Sequence, residues 1–420
     1  MSLLGRQTSN LRCGIVGLAN VGKSTLFQAI TNSHLGNPAN YPFATINPLD
    51  YRIILPNSKL EYLQKKYSSE KIINSTLTLF DIAGLTRGAS DGQGLGNKFL
   101  NDIRNVDAIL HVVRGFEDEE IIHLEESVNS VRDLVLVNDE LILKDLEFLE
   151  NGIERLSKKL KNKSGKHSNS KENWQLIEME KELLELLQEN LYEGKKITQI
   201  QKDWTSGENS ILNRYNFLTA KPSIILLNVN PHEYILSQLD PTKIKNLQLV
   251  QNWLNENSPK DIVLPFSGHF ESQYNIFKNN NDSNGFRKYI SDLIKEYDLE
   301  KVSGTKIEVD KINHAIPTMI KKTKNILRLI SYYTCGPKEI REWLIREGTP
   351  ANEAAGAIHS DLCDTFQNAE IIALRDLEQA PHELINEPYL KTKGLIKRVG
   401  KNYIIQNDDI ALFRATASKK

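Results

Sequence analysis

Eight residues, Gly17-Leu18-Ala19-Asn20-Val21-Gly22-Lys23-Ser24, constrain this chain more than any other stretch. They carry the spacing G-x-x-x-x-G-K-S between an apolar run, Cys13 to Val16, and the segment Thr25-Leu26-Phe27-Gln28-Ala29-Ile30, which predicts a glycine-rich turn joining a strand to a helix. In such a turn successive backbone N–H groups point inward at a phosphate chain, beside the positive end of the helix dipole. Lys23 is then placed to meet the β- and γ-phosphate oxygens and the Ser24 hydroxyl to ligate Mg²⁺. Asn20, Val21, Gly22, Lys23, Ser24 and Thr25 are therefore the first candidate nucleotide-binding residues. The alternative, a plain glycine turn, is disfavoured because pattern, flanks and downstream residues agree.

Downstream, Asn40 to Pro48 is too irregular for a helix or central strand, and Thr45 within it is a candidate Mg²⁺ ligand and γ-phosphate sensor. Leu77 to Leu85 reads as an apolar strand ending in D-x-x-G. Asp81 at its carboxyl end can support the Mg²⁺ shell, and the Gly84 N–H can touch a γ-phosphate. The glycine-rich stretch from Thr86 to Asn97 is expected to act as a second switch. Val106 to Val113 is another buried strand interrupted by His111, read as a structural histidine with a catalytic role as the alternative. The acidic run Glu117 to Glu120 reads as a solvated loop.

From about Val131 the apolar period changes. Ile142, Leu146, Leu149, Ile153, Leu156 and Leu160 step by three and four, and Leu176, Met179, Leu183 and Leu186 form a second stripe, as in a helical hairpin. Its tip, Lys158 to His167, is basic and suits either RNA phosphates or plain solvation. Strand patterns resume at Pro222 to Pro231 and Ile262 to Gly268. A doubly wound α/β nucleotide-binding domain is thus expected at 11–130 and 216–310, interrupted by a helical insertion at 131–215. A connecting helix at 311–328 and a small α+β domain at 329–415 complete the chain.

The formal charge of −1 argues against a globally basic nucleic-acid binder, so any RNA contact must be local. Three cysteines without ligand spacing suit a reducing, cytoplasmic compartment, with the mitochondrial matrix as the alternative. No apolar run approaches membrane-spanning length. A monomer is expected.

The motifs G-L-A-N-V-G-K-S, N-Y-P-F-A-T-I-N-P, D-I-A-G-L and V-V-R-G-F-E-D closely resemble those of the Obg-like ATPases, the YchF subfamily of translation-factor-related P-loop GTPases. Tyr332 to Arg341, Ala354 to Asp361 and Tyr403 to Asp409 resemble that subfamily's TGS domain. The resemblance implies a nucleotide-binding domain, an inserted coiled coil and a ubiquitin-like TGS domain. It also implies hydrolysis of ATP in place of GTP, and association with the ribosome or its RNA. In ordinary GTPases an N-K-x-D aspartate reads guanine. Here the segment is Asn228-Val229-Asn230-Pro231, where the subfamily usually carries a glutamate at the last position. Proline offers no side-chain acceptor, so guanine preference loses its main source. Base contacts are left to Asn228 and Val229 and to the backbone around Ser267 and Gly268. Leu85 stands where a Ras-like enzyme has its water-orienting glutamine, so intrinsic hydrolysis is expected to be slow. Asn20 can help bind a monovalent cation such as K⁺, as an asparagine there does in related GTPases.

Overall fold

The computed structural model describes residues 11–32, 50–82, 95–118, 127–161 and 174–416. Thr45, Gly84 and Leu85 lie outside them, as does the hairpin tip beyond Lys161. Twelve strands are present among the described residues: β1 (Arg12–Val16), β2 (Asp50–Ile54), β3 (Lys71–Ile73), β4 (Thr76–Asp81), β5 (Ala108–Arg114), β6 (Ser223–Asn228), β7 (Ile262–Phe266), β8 (Leu329–Cys335), β9 (Glu339–Arg346), β10 (Phe366–Ala373), β11 (Lys397–Val399) and β12 (Asp409–Ala415).

The first sheet has the order β2-β4-β1-β5-β6-β7. Its pairs are parallel except β2 with β4, the antiparallel edge. Every residue of β5 and β6 is buried, because helices cover both faces and leave no polar side to alternate with. The chain between β5 and β6 forms the insertion, so these adjacent strands are separated by over a hundred residues without losing register, with Ile109 opposite Ser223 and Arg114 opposite Asn228. All the parallel strands end on one side of the sheet, which is where a doubly wound fold gathers its functional loops.

The insertion is built on the helix Ser130–Lys161. Its first turns belong to the nucleotide-binding domain, where Leu134, Val137 and Leu141 pack on the sheet. Further along, Leu149 and Leu156 meet Leu183, Leu184, Leu187 and Leu191 of the helix Trp174–Tyr192. A third helix, Ser206–Tyr215, which the apolar stripes did not announce, joins this core through Ile211 and Leu212. The fully buried Asp145 carboxylate accepts from the backbone N–H of Leu218 and Thr219 and from the Thr219 hydroxyl, fixing the chain as it returns to β6. The buried pair Lys196–Asp261 ties the insertion to the start of β7.

The second sheet has the order β11-β10-β12-β8-β9-β3. From sequence, 11–130 is assigned wholly to the nucleotide-binding domain, but β3 pairs parallel with β9 of the C-terminal domain, Lys71 opposite Glu339 and Ile73 opposite Arg341. The preceding helix, Ser58–Tyr67, buries Leu60 and Leu63 against Tyr333, Ile340, Leu374 and Leu377. A three-residue strand carries no periodicity of its own, which is why composition does not announce it. A polar seam runs beside this apolar contact. The buried Glu342 carboxylate accepts from Asn57 Nδ2 and from the hydroxyls of Ser75 and Ser331, with Lys324 of the connecting helix Ile316–Ile326 alongside at 3.8 Å. Asn57 also donates to the Tyr333 hydroxyl, and Lys59 pairs with Asp408.

Candidate nucleotide site

β1 ends at Val16, and the chain turns so tightly that a Cβ at Gly17 would lie 2.3 Å from the Val112 carbonyl oxygen. Gly22, at φ 99°, closes the turn where a Cβ would lie 2.3 Å from Asn228 Nδ2. Only glycine meets both the dihedral and the space at this position. Gly22 is the N-cap of the helix Lys23–Thr31, and no side chain caps it, so the first N–H groups are left to whatever lies in front of them. Asn20 adopts a left-handed conformation, φ 60°, at the loop's exposed crest.

Asn228, at the end of β6, braces the loop. Its Nδ2 donates to the Val21 carbonyl at 3.0 Å, and its Oδ1 accepts from the Gly268 N–H at 3.0 Å. The asparagine thus links the phosphate loop to the turn after β7. This is a tighter structural duty than the base contact expected from sequence, and it leaves only its second hydrogen and lone pair for a ligand. Val21 is 1% exposed and acts through this bond rather than as a cavity wall.

Lys23 is buried to 8% exposure, and its Nζ donates to the Leu18 carbonyl at 2.6 Å. Burial pushes its pKa down to about 8, with the Asp81 carboxylate pulling the other way. Asp81 ends β4 opposite Ile15, one strand from the phosphate loop. Its own pKa is raised by burial and held back by Lys23. The Ser24 hydroxyl is exposed at the helix start. A hydroxyl and a carboxylate oxygen are the donors a hard cation takes. Among the described residues no group of three His, Cys, Asp or Glu side chains could hold a metal by itself. The Ser24 hydroxyl and the Asp81 carboxylate are donors that fit a hard cation such as Mg²⁺.

In front of the loop lies a cavity of about 870 Å³. Its walls include Asn20, Gly22, Lys23, Ser24, Thr25, Asn228, Val229, Ser267 and Gly268, so nearly all the predicted nucleotide contacts converge. Phe116, Glu117 and Asp118 also line it; Glu117 and Asp118 are exposed, as a solvated loop requires, and Glu119 and Glu120 lie outside the described residues. Arg114 holds Phe116 to Asp118 there, donating to the carbonyls of Phe116 and Asp118 at 3.1 Å and stacking over the Phe116 ring. The far wall is His232, stacked at 3.9 Å on Tyr297, with Leu293 and Tyr289 one and two helical turns earlier. Those three positions repeat every four residues, a signal that any amphipathic helix gives.

His111 is absent from this cavity. It lies at 3% exposure beside Asn138, Lys196 and Thr219, which fits the structural reading of this histidine and corrects the catalytic alternative. Burial, then the positive charges of Lys196 and Lys23, push its pKa from 6.5 down to about 3. Between those values the unfolded chain binds a proton that the folded chain does not, so stability falls as pH drops from 6.5 toward 3. The contribution approaches about 1.4 kcal/mol per pH unit. In urea unfolding at a series of pH values below 6.5, His111→Asn is expected to show a shallower acid loss than the native chain; equal slopes would mean His111 is not a neutral buried ring.

A phosphate loop after β1, a carboxylate closing β4 and an asparagine closing β6 define a switch-type P-loop nucleotide-binding domain. Residues 12–142 match the family described as 50S ribosome-binding GTPase, and residues 329–416 match the YchF-GTPase C-terminal family, described as a protein of unknown function. The chain is 52% identical over 417 residues to an Obg-like ATPase homolog of Saccharomyces cerevisiae, spanning 99% of this chain and 97% of that protein. It is 33% identical over 413 residues to Obg-like ATPase 1 of Homo sapiens, spanning 98% and 94%. The solved structure of the Schizosaccharomyces pombe YchF GTPase superposes with a TM-score of 0.77 at 38% identity, covering 99% of this chain and 100% of that one. The chain belongs to the YchF family of Obg-like ATPases.

Proposed function

We propose that this chain hydrolyses ATP slowly to ADP and phosphate with Mg²⁺, and that the cycle serves an interaction with the ribosome or its RNA. The observation that carries the base choice is Pro231. It is the first residue of the helix Pro231–Leu239, where a proline's missing N–H and fixed φ are at home, and it borders the cavity where a guanine-reading carboxylate would stand. Guanine's ring N–H and amino group find no acceptor at that position, which favours adenine.

Water attacks the γ-phosphorus in line and ADP leaves. Bound Mg²⁺ supplies charge neutralisation at the phosphates. The loop N–H groups and Lys23 orient the phosphate chain and take up negative charge developing toward the leaving oxygen. A K⁺ ion beside the phosphates, held in part by Asn20, belongs to this reading, and the place of Asn20 on the cavity edge is compatible with it. The ribosomal partner is supported by the match to a 50S ribosome-binding GTPase family. The rivals are a GTPase of ordinary preference and a nucleotide-gated binding protein in which hydrolysis is incidental.

Competing turnover of ATP and GTP at equal concentration, run in potassium and in sodium, tests base choice and the monovalent ion together. ATP preference with faster turnover in potassium is expected; a clear GTP preference would refute the account of Pro231. Single-turnover phosphate release with and without ribosomes addresses the other rival, which gains if neither condition releases phosphate.

A further inference from the structure

The cavity that lacks an acceptor at Pro231 has one nearby. Among its described lining residues the carboxylates are Glu117 and Asp118. Asp118 is tied to Arg114, which its charge stabilises and to which its carbonyl is bonded. Glu233, one turn into the Pro231–Leu239 helix, is also committed: its Oε2 accepts from the Asn230 N–H at 3.1 Å in a capping box. Glu117 is exposed, and among the described residues no hydrogen bond or ion pair holds its carboxylate.

Its location is fixed all the same. The Gly115 N–H donates to the Asn228 carbonyl at 2.8 Å, and Asn246 Nδ2 donates to the Gly115 carbonyl at 2.7 Å. Arg114 then clamps Phe116 and Asp118 on either side of Glu117. The loop therefore runs beside the Asn228–Pro231 turn. Glu117 and Pro231 line the same cavity, and burial first, then the Glu117 charge, raise the pKa of Glu233 on the Pro231 helix.

We infer that Glu117 is a specificity-determining residue that accepts a hydrogen bond from the exocyclic amine of the bound purine, filling the role that Pro231 cannot. The assignment deepens the proposed function and rests on ATP as substrate, so the amine in question is the 6-amino group of adenine. A carboxylate held by a braced backbone but unpaired among the described residues loses little on meeting such a donor, and an amine-free base leaves it facing water.

Calorimetric titration of the full chain with Mg²⁺ and three ligands tests this: ATP, purine riboside triphosphate, which lacks the amine, and inorganic tripolyphosphate. The native chain is expected to bind ATP about tenfold or more tightly than the amine-free nucleotide, the range of one charge-assisted hydrogen bond. Glu117→Ala should erase that difference by weakening ATP alone, and Glu117→Gln, which keeps an acceptor oxygen, should restore part of it. Because Glu117 is exposed, both variants should melt as the native chain does. An unchanged ratio in Glu117→Ala, or equal loss for all three ligands, overturns the assignment while leaving ATP hydrolysis standing. A native chain that prefers GTP instead overturns the ATP reading. Glu117 is then judged on GTP against ITP, which lacks the 2-amine, and falls if Glu117→Ala leaves that pair unchanged.

Discussion

Lys23→Ala is expected to abolish measurable turnover while the chain remains folded. In the proposed site the ammonium would supply about two charge-assisted bonds to the β- and γ-phosphates, each contributing about 1.5–3 kcal/mol, so their combined loss of about 3–6 kcal/mol weakens nucleotide binding by two orders of magnitude or more. The same residue is an unfavourable tenant of the empty fold, since burial pulls its pKa down to about 8. Removing it therefore leaves the melting temperature near the native value. The two readouts separate a lost ligand contact from a lost fold. Turnover that survives in Lys23→Ala would mean that the loop after β1 is not the phosphate site.

The second large effect is expected far from that loop. Glu342→Ala removes the acceptor shared by Asn57, Ser75 and Ser331, leaving those donors buried between the first sheet and the C-terminal domain. Orphaned buried groups of this kind cost about 1–3 kcal/mol each where they cannot reorient, so a total loss of about 2–4 kcal/mol is expected. Urea unfolding measures it, and Glu342→Gln, which keeps an acceptor oxygen, should lose less. A change within experimental error in Glu342→Ala would show that water enters and satisfies the seam.

The phosphate end of the site was legible because it is local. Eight consecutive residues specify the turn, and their neighbours specify the strand and helix on either side, so Gly17, Gly22, Lys23 and Ser24 fall where the motif requires. Asp81 was legible for the same reason, as the end of an apolar run. The base end was not, because it is assembled from loops after three strands and from a helix outside any motif. Glu117 belongs to an exposed acidic run, and its place beside the cavity depends on Arg114 holding the carbonyls of Phe116 and Asp118, which no local pattern announces. Tyr289, Leu293 and Tyr297 share a helix face that composition cannot distinguish from ordinary core packing. Asn228 lines the cavity, where a base contact is expected of it. An asparagine at a strand end signals polar work, and only the geometry reveals that the work is bracing Val21 against Gly268. The residue type of His111 leaves a catalytic alternative open in the sequence, because a histidine in a buried strand faces whichever side the pleat dictates.

The attachment of β3 and the Ser58–Tyr67 helix to the C-terminal sheet has a consequence for how the chain is made. Their partners are distant in sequence: Ser75 meets Glu342 across 267 residues, and Lys59 meets Asp408 across 349. During synthesis the amino-terminal half emerges with Leu60 and Leu63 exposed and β3 unpaired until almost the whole protein has left the ribosome. Contacts of such long range raise the loop-closure cost of the last folding step and slow it. Throughout that interval the Leu60–Leu63 face of an amphipathic helix and an open strand edge are available to other chains, the circumstance in which nascent proteins depend on chaperones. The final strands therefore do more than add a domain: they release the first half of the molecule from its most aggregation-prone state.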